Sequence, residues 1–396
     1  VQSNDGLQKA EVQAQEAGAS VGAGAIGRWP VLAAVRRWHL PIIVAALVIP
    51  LIQLSCLVWL IWERTADVPY GDEWGDTLIV AHKFASGTLR PGDLWAFHNE
   101  HRVLTLRVVD LTIIQLTQYN RQVEMTFDLI VGIGSVFLLL ASVRRILSPG
   151  QMVALVAPVS LLLLSINQVD NWFWPDGLAV LATVFGAALC MWAFTVLRPS
   201  PRGLCIAILG ALIASWSVAG GLAVWIAFAP NLWYAGYRRG RYLLIWGITG
   251  LVTIIAYVQG MPRSSYGVTR PFEIVRFALA YLGAPVGFPD AHLSQVATLC
   301  GGIVLFVNLS VYWSLTRSLV PIIPWTGPLL FALACAGLTA MARTAQFGIG
   351  QALAQRYEAF SSLWWIAVAL LSVASTIELA RYWGHARTPW LSAGYL

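Results

Sequence analysis

The sequence predicts an all-α integral membrane protein, a polytopic bundle of about ten transmembrane helices with amphipathic juxtamembrane helices in its first outer loop. Hydrophobic residues make up 58% of the 396 residues and charged residues only 11%, whereas a soluble domain is about 25% charged. Apolar runs of the roughly 20 residues that a spanning helix needs recur along the chain. Period-two alternation is absent, so the runs indicate a helical bundle and not a barrel.

Composition excludes several function classes. The net charge of +6 comes from arginines in short connections between apolar runs, without the basic stripe of a nucleic-acid-binding protein. The five cysteines lack CxxC spacing, which argues against a disulfide framework or a thiolate metal site. The 19 tryptophans are typical of an interfacial aromatic belt. No organic cofactor is indicated, and a divalent cation stays open.

The chain divides into a flexible cytoplasmic tail (1–38), a transmembrane domain (39–383) and a cytoplasmic C-terminal tail (384–396). Arg36 and Arg37 precede the first apolar run. The positive-inside rule therefore places the N-terminus inside and the loop 63–122 outside.

The ten predicted spans follow in order, and the short run 103–118 is left out of them. That run contains Arg107 and Asp110, and a charge at mid-membrane costs about 2.5–3.5 kcal/mol. It is therefore predicted to be an amphipathic surface helix, with a second one at 271–282. This count puts short Arg-containing connections inside and most acids outside, with both termini inside. The spans are 40–62, 125–143, 150–166, 178–197, 203–217, 219–235, 242–259, 294–315, 321–341 and 359–380.

Two adjacent acids open the first outer loop. Asp72 and Glu73 follow the turn-forming run Pro69-Tyr70-Gly71, and a carboxylate held there can act as a general base. Asp170 or Asp176, from the second outer loop, would orient an acceptor or share a divalent cation. The alternative is that the first two acids are solvated loop residues or caps of the next helix.

Histidines and arginines in the outer segments suit a phosphate whose lipid tail lies in the bilayer, because Arg offers a planar fork of donors. A helix starting near His101 would add its positive end, and Trp172 and Trp174 could stack on a sugar ring. The alternatives are interfacial anchoring, ion pairs with outer acids, and a zinc site on His98 and His101 that lacks a third ligand. The candidate phosphate ligands are His98, His101, Arg102, Arg107, Arg343 and Arg356.

This plan resembles the GT-C glycosyltransferases, which use polyprenyl-phosphate sugars. The resemblance lies in Tyr70-Gly71-Asp72-Glu73-Trp74 after the first span, in Asp170 with Asp176, and in the surface helices before many further spans. It implies inverting transfer of a sugar from a polyprenyl-phosphate lipid to a cell-envelope acceptor, on the outer face of a bacterial cytoplasmic membrane. Asp72 would be the base, with Glu73 as the alternative. The blocks at 98–102, 170–172 and 356–357 are also similar to blocks in uncharacterised bacterial membrane proteins.

The chain departs from the larger members of that class in having fewer spans and no soluble C-terminal domain, so a partner protein would supply acceptor recognition. Two other function classes remain open. One is a non-catalytic structural subunit of a membrane complex. The other is a lipid or glycan transporter, which would carry ionisable residues within its spans.

Overall fold

The computed structural model describes residues 30–144, 147, 149–174, 176–197, 199–237, 240–262 and 270–386. Over these ranges the chain is helical and contains no β-strand, which confirms the predicted all-α class. The chain forms two units, residues 1–45 and 46–396. In the first, the described residues are helical. Most of the predicted N-terminal tail and almost all of the C-terminal tail lie outside the described residues.

Sixteen helices are described, numbered here in chain order. Single 3-10 turns connect some of them, at Gly71–Trp74, Ala219–Ala223, Val320–Trp325, Ile349–Leu353 and Gln355–Tyr357. The helices are α1 Pro30–Arg64, α2 Thr77–Ala85, α3 Pro91–Trp95, α4 Leu104–Thr117, α5 Arg121–Ser142, α6 Pro149–Leu163, α7 Val169–Phe173, α8 Gly177–Val196, α9 Pro201–Ser215, α10 Val224–Ala227, α11 Ala229–Tyr234, α12 Gly240–Val258, α13 Pro271–Gly287, α14 Ala291–Thr316, α15 Thr326–Phe347 and α16 Glu358–Ala386.

Seven segments of the described chain are long and apolar enough to cross a bilayer, as expected of a multi-pass membrane protein. They match seven of the ten predicted spans, and the count of ten stays a prediction. Two of the other predicted spans, 150–166 and 203–217, correspond to the 15-residue helices α6 and α9. The remaining predicted span, 219–235, was wrong as one continuous helix, because it divides into a 3-10 turn, α10 and α11. The seven are Val44–Arg64, Arg121–Ser142, Gly177–Val196, Gly240–Val258, Ala291–Thr316, Ile322–Phe347 and Gln355–Trp383.

Helix α8 lies at the centre of the bundle. It is apolar on every side, as expected of a helix surrounded by others, and it packs against α5 and α9. Gly186 of α8 faces Gly210 of α9 so closely that a Cβ on either would lie 2.4 or 2.6 Å from the other's carbonyl oxygen. Small residues at such a crossing let two helix backbones approach within a membrane.

Gly210→Ala is therefore expected to destabilise the protein, by about 1–3 kcal/mol, since the added methyl has no room without moving a backbone. The measurement is thermal unfolding of the purified protein in detergent. Gly247→Ala on α12 is the matched control, because its Cβ would meet no atom within 4 Å. Equal melting temperatures for the two variants would contradict the close packing of α8 and α9.

Both predicted amphipathic segments are helices. Helix α4 spans the first of them; it buries Arg107 and Asp110 and exposes Leu116 and Val108. Burial raises the pKa of Asp110 well above its usual range, which favours the neutral acid. Helix α13 covers the second segment and packs against α14, α15 and α16. That either helix lies on a membrane surface stays a prediction.

Candidate functional site

The acidic pair after the first span is divided by a tight turn. Gly71 has φ +59° and starts the 3-10 turn Gly71–Trp74, a backbone conformation that glycine adopts without steric cost. Glu73 turns inward, where it accepts a hydrogen bond from the Tyr70 amide at 2.7 Å and pairs with Arg121. The Asp72 side chain is 45% exposed. Neighbours in sequence thus have opposite environments.

Aromatic packing joins this turn to the second loop. Tyr70 meets Trp174 edge to face, with ring centroids 5.3 Å apart, and Gly71 lies against the same indole. Trp174 precedes Asp176, the N-cap residue of α8, whose side chain does not cap the helix. The carboxylates of Asp176 and Asp72 both lie close to one histidine.

That histidine is His98. Its Nε2 lies 3.6 Å from Asp72 Oδ2 and 3.7 Å from Asp176 Oδ2, and its Nδ1 lies 3.7 Å from Asp76 Oδ2. The backbone of His98 exchanges two 2.8 Å hydrogen bonds with His101 around a turn in which Asn99 has φ 52°. Paired residues across such a turn project to the same face. The helix expected near His101 begins instead at Leu104.

Asp72, His98, His101 and Asp176 line a cavity of about 240 Å³. Its walls come from the first loop, the start of α7 and α8, the segment after α9, and the facing ends of α15 and α16. Seven predicted site residues therefore converge from widely separated parts of the chain. They are Asp72, His98, His101, Asp170, Asp176, Arg343 and Arg356.

The two cavity arginines differ in their partners. Arg343 pairs with Glu100 and lies 5.6 Å from the centre of the Phe347 ring. Arg356 lies 5.5 Å from the centre of the Tyr357 ring, and within the described chain no carboxylate lies within 4 Å of it. The cavity therefore contains a guanidinium whose charge no neighbouring acid neutralises, an arrangement suited to an anion.

Burial shifts the pKa of two side chains in the cavity, His101 and Asp176. Burial, with smaller contributions from His98 and Arg356, lowers the pKa of His101 to about 4, although 31% of its side chain still faces the cavity. Its Nδ1 accepts from the Ala219 amide at 3.2 Å, so the neutral ring carries its proton on Nε2. Burial raises the pKa of Asp176 to about 6; nearby Asp72 and Asp76 add to the rise and His98 opposes it.

Two predicted phosphate ligands have other partners. Arg102 donates from Nε to the Tyr257 carbonyl at 2.8 Å and from its terminal nitrogens to carbonyls of Trp95 and Gln259. It thereby satisfies carbonyls at the C-terminal end of α12, which lack partners in the helix. Arg107 is 2% exposed and binds both oxygens of Asp76 from Nε, at 3.0 and 3.1 Å. Neither residue lines the cavity.

Glu73 and Trp172 also lie outside the cavity lining. Glu73 is 1% exposed and also accepts a 3.2 Å hydrogen bond from the Tyr119 hydroxyl. Trp172 is buried in the core and donates from Nε1 to the Ser165 carbonyl at 2.8 Å. The tryptophan in the cavity is Trp174. Only the sequence Trp172-Phe173-Trp174 hinted at it, without deciding between the two.

Tyr281 lines the cavity without any sequence signal for it. Tyr281 of α13 stacks on Tyr357 at a centroid distance of 5.2 Å and an interplanar angle of 29°. Both rings line the cavity, and Asn171 lies beside them in its wall. Tyr281 lies in an apolar helix, where an aromatic residue is usually part of the core. Nothing in its spacing distinguished it.

The cavity adjoins a larger, mainly apolar groove of about 790 Å³. The groove lies between α12, α15 and the broken segment that contains α10. Its walls include Ile226, Ile254 and Leu338. Five residues line both spaces, so the polar cavity and the apolar groove share a boundary. They are His101, Gly220, Thr339, Arg343 and Tyr357.

Comparison with known proteins does not extend this description: no family model, curated protein or solved structure matches the chain.

Proposed function

We propose that the protein is a membrane glycosyltransferase that moves a sugar from a polyprenyl-phosphate donor to a cell-envelope acceptor, on the outer face of the cytoplasmic membrane. One observation carries the proposal. A cavity with carboxylates and arginines shares five lining residues with an apolar groove, and Arg343 is one of them. A lipid phosphate has the same division, with a charged head and a long apolar tail.

In the proposed reaction a carboxylate acts as the base, and arginines stabilise the leaving group. Asp72 takes the proton of an acceptor hydroxyl or amine as its oxygen or nitrogen forms a bond to the anomeric carbon. The bond between that carbon and the phosphate oxygen breaks, and the electron pair leaves with the lipid phosphate. Arg356 and Arg343 stabilise the charge that grows there, and neutral His101 can donate from Nε2.

The distribution of arginines supports the outer-face orientation. Helix α8 lines the cavity at its N-terminal end, and α12 and α15 line the cavity or its groove toward their C-terminal ends. Arginines lie near the other ends of these helices, as they do on the cytoplasmic side of membrane proteins. They are Arg202, Arg241 and Arg317.

Donor binding tests the proposal directly. Arg356→Ala and Arg343→Ala are each expected to weaken binding of a radiolabelled polyprenyl phosphate to the purified protein by about 10- to 100-fold, the loss of a charge-assisted hydrogen bond. Gly337→Phe is expected to weaken it as well. Gly337 lines the groove, and its Cβ would meet no atom within 4 Å, so the phenyl ring would fill the space proposed for the tail.

Two controls match these variants. Arg276→Ala removes a partly exposed arginine of α13 that pairs with Glu273, and Gly247→Phe adds a phenyl ring to α12 where its Cβ would meet no atom within 4 Å. Both are expected to bind the lipid like the parent protein. Undiminished binding by Arg356→Ala together with Gly337→Phe would overturn the proposed donor site.

A second assay, with a labelled sugar donor, separates transfer from transport, one of the two other classes left open by the sequence. A transferase consumes the labelled sugar donor and yields a labelled acceptor, whereas a transporter returns the donor unchanged on the other side of a vesicle membrane. Helix α5 does bury Arg121, Glu124 and Asp128, the kind of residues that a transport pathway uses. Arg121 pairs with Glu73 and Glu124, and none of the three lines the cavity or the groove.

A further inference from the structure

Asp72, His98 and Asp176 form a cluster with metal-ligand geometry inside the cavity. One ligand atom from each lies within 4.8 Å of the other two. The two separations from His98 Nε2, 3.6 and 3.7 Å, are too long for hydrogen bonds. Ligand atoms about 2.1 Å from a shared metal ion are about 3.4 Å apart when the geometry is tetrahedral. The two separations from His98 Nε2 thus fit ligands around an ion better than direct contacts.

The other side of the imidazole faces a fixed carboxylate, 3.7 Å away. Nδ1 faces Asp76, and Arg107 fixes that carboxylate through both oxygens. A carboxylate on the Nδ1 side favours a proton on Nδ1, and Nε2, the nitrogen that faces Asp72 and Asp176, is then the one with a lone pair for an ion. A carboxylate behind a ligating histidine orients the ring and raises its basicity.

Charge gives an independent reason for a cation. The carboxylates of Asp72 and Asp176 both lie close to His98. Within the described chain, neither has a lysine or arginine within 4 Å. Two arginines of this region pair with other acids: Arg107 binds Asp76, and Arg343 binds Glu100. Two carboxylates that share a site repel one another unless a proton or a cation lies between them.

We propose that Asp72, His98 and Asp176 bind a first-row divalent metal ion, with its remaining positions open to the cavity. One imidazole and two carboxylates form a mixed nitrogen and oxygen set that suits Mn²⁺ or Zn²⁺, and the histidine disfavours Mg²⁺ and Ca²⁺. The site shares Asp72 with the proposed transfer reaction, but it is tested separately, because binding of the ion requires neither donor nor acceptor.

Metal binding by the full-length protein, stripped with chelator and titrated with Mn²⁺, tests the site. One Mn²⁺ per chain is expected, with an electron paramagnetic resonance signal that carries nitrogen coupling from an imidazole. His98→Gln is expected to abolish the nitrogen coupling, and Asp176→Asn to weaken binding. Asp76→Asn, behind the histidine, is expected to weaken it by about 10- to 100-fold.

Asp170→Asn is the matched control, since Asp170 lines the same cavity but lies outside the cluster; it is expected to keep the parent affinity. Elution profiles and melting curves of each variant establish that it is folded. No stoichiometric Mn²⁺ in the parent protein, or unchanged coupling in His98→Gln, would overturn the site. Because no transfer is measured, failure of the glycosyltransferase proposal would leave this result standing, and the reverse also holds.

Discussion

Replacing Asp72 with Asn is expected to lower sugar transfer by about 10²- to 10⁴-fold, the contribution of a general base. The amide keeps the size and one acceptor oxygen of the side chain but cannot take the acceptor's proton. Donor binding is expected to persist, because the proposed phosphate ligands are on α15 and the turn before α16. Transfer from a labelled lipid donor by the purified protein, at saturating donor, is the measurement.

Asp72 is also a proposed metal ligand, so the two roles need separating. If the variant loses activity only because its metal affinity falls, excess Mn²⁺ is expected to restore transfer; if it lacks the base, added Mn²⁺ leaves it inactive. Asp93→Asn is a control, because Asp93 pairs with Lys83 and does not line the cavity. Full transfer by Asp72→Asn without added metal would remove the assigned base.

Composition and hydropathy were sufficient to predict an all-α membrane protein, because the length of an apolar run relates directly to bilayer thickness. The segment 219–235 shows where this reasoning fails. Its residues are apolar enough for a span, but Gly220, Gly221 and Pro230 interrupt it. Hydropathy measures transfer to lipid, whereas continuity depends on backbone hydrogen bonds. The apolar groove beside this broken segment was consequently missed.

Loop positions predicted part of the site. Asp72, Asp170, Asp176, Arg343 and Arg356 lie in polar segments on one predicted side of the membrane, and they do line one cavity. Convergence within it depends on contacts that no sequence pattern reveals, such as Tyr70 against Trp174.

Several charged residues lie outside the cavity lining because they bind partners elsewhere in the fold. Arg102 and Arg107 were predicted to be phosphate ligands because the sequence shows their positive charge but not their partners in the fold. Those partners are carbonyls of α12 and the carboxylate of Asp76. Glu73 differs from Asp72 for the same reason, since Arg121, 48 residues later, pairs with it. A pairing at that separation follows from the fold and not from local spacing.

The buried pair at Glu73 leads to the largest expected effect on stability. Arg121→Met is expected to destabilise the protein by about 3–5 kcal/mol, because removing one member of a buried pair leaves a carboxylate uncompensated. Side chains of Arg121 and Glu73 are 3% and 1% exposed, and Glu124 lies 3.3 Å from the same guanidinium. Methionine keeps much of the volume, so the loss reports charge and not a cavity. Chemical unfolding in detergent measures it.

Two further variants separate this pair from an ordinary surface ion pair. Arg276→Met breaks the partly exposed pair with Glu273 and is expected to cost about 1 kcal/mol or less. Glu73→Gln combined with Arg121→Met removes both charges and is expected to recover part of the loss, with Glu124 still uncompensated. If Arg121→Met were no less stable than Arg276→Met, Glu73 would not be held by a buried pair. Glu73 would then not be the anchor of the turn from which Asp72 faces the cavity.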